Sequence, residues 1–162
     1  MNEIVVATLE HARALAPALR AGDKAEIAAA SGWDPEAALV LSVAASPRSY
    51  TWLRDGVPLA IFGVSPDPFA PTVGIPWMLA TDAAAEHPTY ILRRSREWLP
   101  KLAEGFDVLT NKVDCRNVLA IQWLSWLGFV FTGLDPQYGV QRLPFLTFAL
   151  TLRAPPFVIQ SP

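Results

Sequence analysis

The hydrophobic period of the chain changes from about 3.6 residues to 2 around one dipeptide, Asp55-Gly56. An Asp-Gly pair between two alternating runs is the strongest short-range sign of a two-residue hairpin, because both central residues must take positive φ. Residues 49–54 and 57–64 therefore read as antiparallel strands. The residues before them follow a different rule. Ile4, Val5 and Val6 form a β-branched run that predicts a first strand. Leu9, Ala12, Leu15, Ala16 and Leu19 share one helical face, and Gly22 is expected to end that helix. Asp23 is expected to cap a short second helix over 24–30, closed by Gly32. Asp34-Pro35-Glu36 starts a third helix running to Ala45, before Ser46-Pro47 stops it.

Downstream of the hairpin, three prolines make 65–71 a loop, and 74–80 reads as a strand. Pro76 needs a bulge or an unpaired position there, because it brings no N–H to a ladder. Residues 81–86 read as a connection. His87-Pro88-Thr89 opens a long helix with Ile91, Ser95, Trp98, Leu99 and Leu102 inside and Arg93, Arg94, Arg96 and Lys101 outside. Pro100 is expected to kink or end it. A strand over 108–113, an apolar helix over 117–127 stopped by Gly128, and strands over 129–132 and 146–152 follow. The last nine residues, 154–162, hold three prolines and read as an extended tail on a domain of 1–153. A meander followed by helical crossovers predicts an α/β (α+β) fold, a mixed sheet with helices on both faces.

Composition narrows the functional classes. The chain has 162 residues, 52% hydrophobic and 17% charged, which excludes a disordered chain and fits one domain. Thirteen Lys and Arg against fifteen Asp and Glu leave no basic excess to drive general nucleic-acid binding. One cysteine, Cys115, rules out an internal disulfide and a Cys-based zinc cluster, and two histidines far apart argue against a metal site. The N-terminus has no basic-then-apolar leader pattern, and the greasiest stretch, 118–131, is far short of the ~20 apolar residues that span a bilayer. A soluble protein without a spanning segment is expected.

Within residues 113–129, Asn117, Ala120, Gly128 and Phe129 stand in a strand–Asn–helix–Gly-Phe arrangement. That arrangement, with the order of elements, resembles the GCN5-related N-acetyltransferases (GNAT). Thr51-Trp52-Leu53, Phe62-Gly63-Val64 and residues 76–82 (PWMLATD) resemble a narrower group, the acetyltransferase-like internal virion or head-morphogenesis proteins of short-tailed bacteriophages. The first resemblance implies a mostly antiparallel sheet in which 74–80 and 108–113 splay apart around the pantetheine of acetyl-CoA or CoA. It implies cofactor contacts at Leu79, Ala80, Thr81, His87, Thr89, Arg93, Arg94 and Asn117. Asp82 and Asp114, at the carboxyl ends of the two splayed strands, are the implied catalytic carboxylates. Each has a plainer reading. Asn117 and Asp114 suit a helix cap, His87 a turn, and the arginines a solvated helix face.

Two departures from the family pattern bear on function. The loop 81–89 has no glycine to bring amides close to a pyrophosphate, Pro88 removes a donor, and Asp82 and Glu86 add negative charge. Leu124 stands where many active members carry a proton-donating tyrosine. These departures favour a virion or head-assembly protein with a degenerate acyl-CoA site, located in the host cytoplasm or the virion. An active N-acyltransferase working on a small-molecule or protein amine is the alternative. Trp33, Trp52, Trp77 and the tail around Phe157 are the candidate surface for other virion proteins or for self-association.

Overall fold

The computed structural model describes residues 1–153; the expected tail, 154–162, lies outside the described residues. The elements are β1 (Asn2–Val6), α1 (Leu9–Leu15), a 3-10 turn (Ala16–Ala18), α2 (Ala21–Ala30), α3 (Pro35–Ala45), β2 (Arg48–Arg54), β3 (Val57–Pro66), β4 (Val73–Ala80), α4 (Asp82–Ala85), α5 (Pro88–Ala103), β5 (Val108–Asp114), α6 (Val118–Trp126), β6 (Val130–Tyr138) and β7 (Leu143–Thr151). The strands form a seven-stranded sheet in the order β1-β2-β3-β4-β5-β7-β6. Every neighbouring pair is antiparallel except β4 and β5.

The pleat divides the core. Ile61 and Leu79 point to one face, where Ala12, Leu15, Leu19, Ile27 and Leu39 of the first three helices cover them. Their neighbours Ala60 and Ala80 point to the other face, where Trp52, Ile91 and Trp123 pack. Leu15, Leu39 and Ile61 are completely buried, each contributing on the order of 2 kcal/mol of transfer free energy. Asp55 and Gly56 take φ of 50° and 79°, as the hairpin requires, and Asp34 Oδ1 accepts the N–H of Ala37 at 2.8 Å to start α3. Gly128, with φ of 95°, ends α6, and the Phe129 N–H reaches back to the Leu124 carbonyl, sending Phe129 into the core.

Several sequence expectations are corrected. Gly22 does not end a helix and Asp23 does not cap one: both lie inside α2, whose N-cap is Arg20. The connection 81–86 contains a helix, α4, capped by the Thr81 hydroxyl, which accepts the Ala84 N–H. Pro100 lies inside α5, which ends three residues later at Ala103; Arg48 then binds the carbonyls of Lys101 and Glu104. Residues 133–138 and 143–145, between the two expected strands, are also strand. β6 and β7 form a long hairpin that tolerates Pro136 because β6 is an edge strand whose register shifts between Asp135 and Tyr138. Trp52 is no surface residue: it is 3% exposed and packs on Tyr90, whereas Trp126 is 40% exposed.

Candidate functional site

β4 and β5 pair only at Val73↔Val108 and Gly74↔Leu109, and beyond that point they diverge. β4 keeps its antiparallel register with β3 along its whole length, so alternate β4 residues turn their N–H and C=O towards β5. These are Gly74, Pro76, Met78 and Ala80. Pro76 is thus harmless in mid-sheet, since its missing N–H would have pointed into the gap. Its carbonyl accepts Asn111 Nδ2 at 2.9 Å. At the carboxyl end α2 bridges the gap: Ala80 donates its N–H to Asp23 Oδ2 at 3.0 Å and accepts the Arg20 N–H at 2.9 Å.

A cavity of about 480 Å³ occupies the opening and reaches both faces of the sheet. Its apolar wall includes Ile27, Trp33, Trp77, Trp98 and Phe145. Its polar side is a network that joins α2 to the start of α6. Arg20 Nη2 donates to Asp23 Oδ1 and to Asn117 Oδ1, each at 2.9 Å, while Asn117 Nδ2 donates to Asp23 Oδ1 at 3.2 Å. Glu26 Oε1 accepts the Asp114 N–H at 2.8 Å and Asn117 Nδ2 at 3.4 Å. No cation among the described residues forms an ion pair with Glu26. Burial, reinforced by the charges of Asp23 and Asp114, pushes its carboxyl up to about 7 against the pull of its hydrogen bonds. Glu26 is therefore a carboxylate poised to exchange a proton near neutrality.

The sequence candidates fall into separate places. Asp114 is buried, and although burial pushes its carboxyl up, hydrogen bonds from the Arg116 side chain and backbone hold it below the usual carboxylate range. Such a group stays ionised and takes up a proton poorly. Asp82 is exposed at the start of α4. Leu79 pairs with Ile61 on β3, so its backbone is turned from the gap, yet the residue lines the cavity; the outward groups of Ala80 are engaged by α2. Thr81 Oγ1 donates to the Leu59 carbonyl while capping α4. The α4 turn also consumes loop amides internally, with Ala85, Glu86 and His87 donating to Thr81, Asp82 and Ala84. His87 touches Arg54. Asn117 sits at the N-cap of α6 but makes no capping bond; its amide is committed to Arg20, Asp23 and Glu26.

Thr89, Arg93 and Arg96 line a second, open groove with Trp126, and the Arg96 guanidinium lies 3.5 Å from the Trp126 ring centroid. Arg94 is turned to Glu97 at 2.7 Å. Sequence reasoning missed Arg20, Asp23, Glu26 and Tyr138, the last of which lines the cavity from β6. The one available signal was the Arg20-x-x-Asp23-x-x-Glu26 spacing, which places the three on one face of a helix.

No family model and no curated protein matches the sequence. Solved structures match in three dimensions. A putative acetyltransferase from Acinetobacter baylyi ADP1 superposes with a TM-score of 0.69 at 18% identity, covering 96% of this chain and 95% of that one. The ribosomal-protein-S18-alanine N-acetyltransferase from Escherichia coli gives 0.65 at 17%, covering 96% of each chain. A putative acetyltransferase from Salmonella typhimurium, solved with its cofactor acetyl-CoA, gives 0.68 at 16%, covering 96% of each. The fold is that of the GNAT acetyltransferases, a mixed, mostly antiparallel sheet with helices on both faces. Among the described residues no cluster of metal-ligating side chains is present, and no helix is long and apolar enough to cross a membrane.

Proposed function

We propose that the chain is an acyl-CoA-dependent N-acyltransferase whose proton acceptor is Glu26. One observation carries the reading: the gap between β4 and β5 holds a cavity lined by a carboxylate with no ion-pair partner among the described residues, its pKa pushed by burial up to about 7. Acylation of an amine needs such a group, because an ammonium has no lone pair for attack until it gives up a proton.

The gap suits a narrow, hydrogen-bonding chain such as pantetheine, since Met78 turns its N–H and C=O into it. The loop 81–89 suits a pyrophosphate held by amides poorly, because α4 uses those of Ala84, Ala85, Glu86 and His87. Thr89, Arg93 and Arg96 would instead hold the phosphates through side chains. Bound acetyl-CoA supplies the activated acyl group as a thioester. Tyr138 brings to the cavity a phenol O–H, the kind of proton donor that Leu124 cannot be.

The virion or head-assembly role of the narrower resemblance would use the same fold as a binding surface. The poised carboxylate in the sheet gap favours the enzyme.

The test is a thermal-shift titration with acetyl-CoA. A ligand bound only by the folded state at a hundred times its Kd stabilises by about 2.7 kcal/mol, a rise of several degrees for a chain of this size. An unmoved melting temperature at millimolar acetyl-CoA overturns the proposal.

A further inference from the structure

Resting on the acyltransferase reading, the geometry points to the acceptor: a small primary amine with an apolar, preferably aromatic, body, its ammonium paired with Glu26 and its body lying against Trp33 and Trp77. Three observations carry this.

The first is the charge balance of the cavity. Arg20 and Asp23 compensate each other at 2.9 Å. Lys112 is held by Thr147 Oγ1 at 3.1 Å and lies 5.0 Å from the Tyr138 ring. Of the two carboxylates that line the cavity, Asp23 is paired with Arg20 and Glu26 has no counterion among the described residues, so Glu26 is the anion there open to a ligand's ammonium. An amino sugar would bury hydroxyl groups without hydrogen-bond partners against the apolar wall, which an apolar body avoids.

The second is the lining. Trp77 anchors its indole N–H to Ser46 Oγ at 2.8 Å, so the ring is held edge-fixed beside the cavity. Aromatic faces attract both an apolar body and the carbons next to an ammonium.

The third is the roof. The β6–β7 turn is bonded to the end of α2, with Val140 and Gln141 donating to Ala30 and Ala29 at 3.4 and 3.2 Å. A β-carbon on Gly139 would stand 2.3 Å from the Ala29 carbonyl oxygen, so the two segments touch with no space between them. The segments that carry the lining residues Ala30 and Tyr138 are thus joined, and no polypeptide chain enters the cavity between them.

Phenethylamine and glucosamine are the probes. In the wild-type protein, without acetyl-CoA, phenethylamine is expected to quench tryptophan fluorescence saturably, with affinity reduced at least tenfold in Glu26→Gln and in Ser42→Phe, which fills the cavity from α3. Glucosamine is expected to bind at least tenfold more weakly. Circular dichroism melts establish that both variants fold; if Ser42→Phe does not, Glu26→Gln alone decides. Equal binding of the two amines, no phenethylamine binding, or binding unaltered in Glu26→Gln overturns the inference. Thiol release from acetyl-CoA with either amine is measured separately: phenethylamine binding without any release sinks the acyltransferase reading and leaves the amine site standing.

Discussion

Glu26 Oε1 accepts the backbone N–H of Asp114 at 2.8 Å, tying α2 to the carboxyl end of β5 across 88 residues of sequence. The bond replaces part of the ladder that β4 and β5 give up when they part. It also makes a carboxylate, buried for structural reasons, the group that borders the cavity. Fold and chemistry meet at that side chain.

The raised Glu26 carboxyl has a consequence for stability. Its ordinary value is 4.5 and its folded value about 7, so between those limits the folded state keeps a proton that the unfolded chain releases. Stability contributed at low pH is therefore lost as pH rises through this window, and the loss levels off above it. The size is about 3 kcal/mol at most. Urea unfolding of wild type and Glu26→Gln should give similar stabilities at pH 4 and a variant more stable by about 1–3 kcal/mol at pH 8. A wild type that stays equal to the variant at pH 8 contradicts the burial of this charge.

Catalysis should show the opposite slope. A general base must be unprotonated, so kcat/KM for phenethylamine acetylation should rise tenfold per unit below about pH 7 and flatten above it. Glu26→Gln should lose about 10²–10⁴-fold, the usual contribution of such a group. A profile unchanged in the variant assigns the proton to another acceptor.

Asn117 separates two roles that its position allows. As an N-cap it would tolerate Asp, a residue equally favoured there. As the bridge among Arg20, Asp23 and Glu26 it would not, since a third carboxylate would replace the amide N–H₂ that both acids accept. Asn117→Asp is expected to be destabilised more than Asn117→Ala, which should lose about 1–3 kcal/mol for its broken buried bonds. Denaturant midpoints measure the order, and a stable Asn117→Asp restores the capping role.

Most of the framework was legible because it depends on local signals. The Asp55-Gly56 hairpin, the Asp34-Pro35 helix start and the Gly128-Phe129 helix end each follow from φ preferences or a missing donor at one or two residues. The candidate site was less legible because it is built from distant groups. Asp114, expected as a base, is neutralised by Arg116 two residues on; Glu26, which no motif marks, gains its raised value from burial beneath β5. The β6–β7 hairpin was hidden by Gly133 and Pro136, which read as breakers although an edge strand with register shifts accommodates them.

Gly139 and Gly128 offer a paired test of the roof. Both have positive φ, 74° and 95°, so alanine strains either backbone by about 1 kcal/mol. Around Gly128 the space is open, but at Gly139 the new methyl would meet the Ala29 carbonyl oxygen at 2.3 Å. Gly139→Ala should therefore cost clearly more stability than Gly128→Ala, and it alone should weaken phenethylamine binding. Equal melting temperatures and equal binding in the two variants would show that the turn does not shape the cavity.

Arg93 and Arg96 test where phosphates are held. Both are exposed, and neither forms an ion pair among the described residues, whereas Arg94 is paired with Glu97. Replacing an exposed, unpaired arginine alters stability by no more than about 0.5 kcal/mol. A charge-assisted bond to a phosphate is worth about 1.5–3 kcal/mol, which is roughly a tenfold to hundredfold change in affinity. Acetyl-CoA affinity measured by calorimetric titration should thus fall by that factor in Arg93→Ala at unchanged melting temperature, and in Arg96→Ala alongside the small stability loss of its broken Trp126 contact. Arg94→Ala should bind nearly as wild type. If instead Arg94→Ala alone weakens binding, the phosphates are held on the other side of α5, and the groove beside Trp126 has no part in holding them.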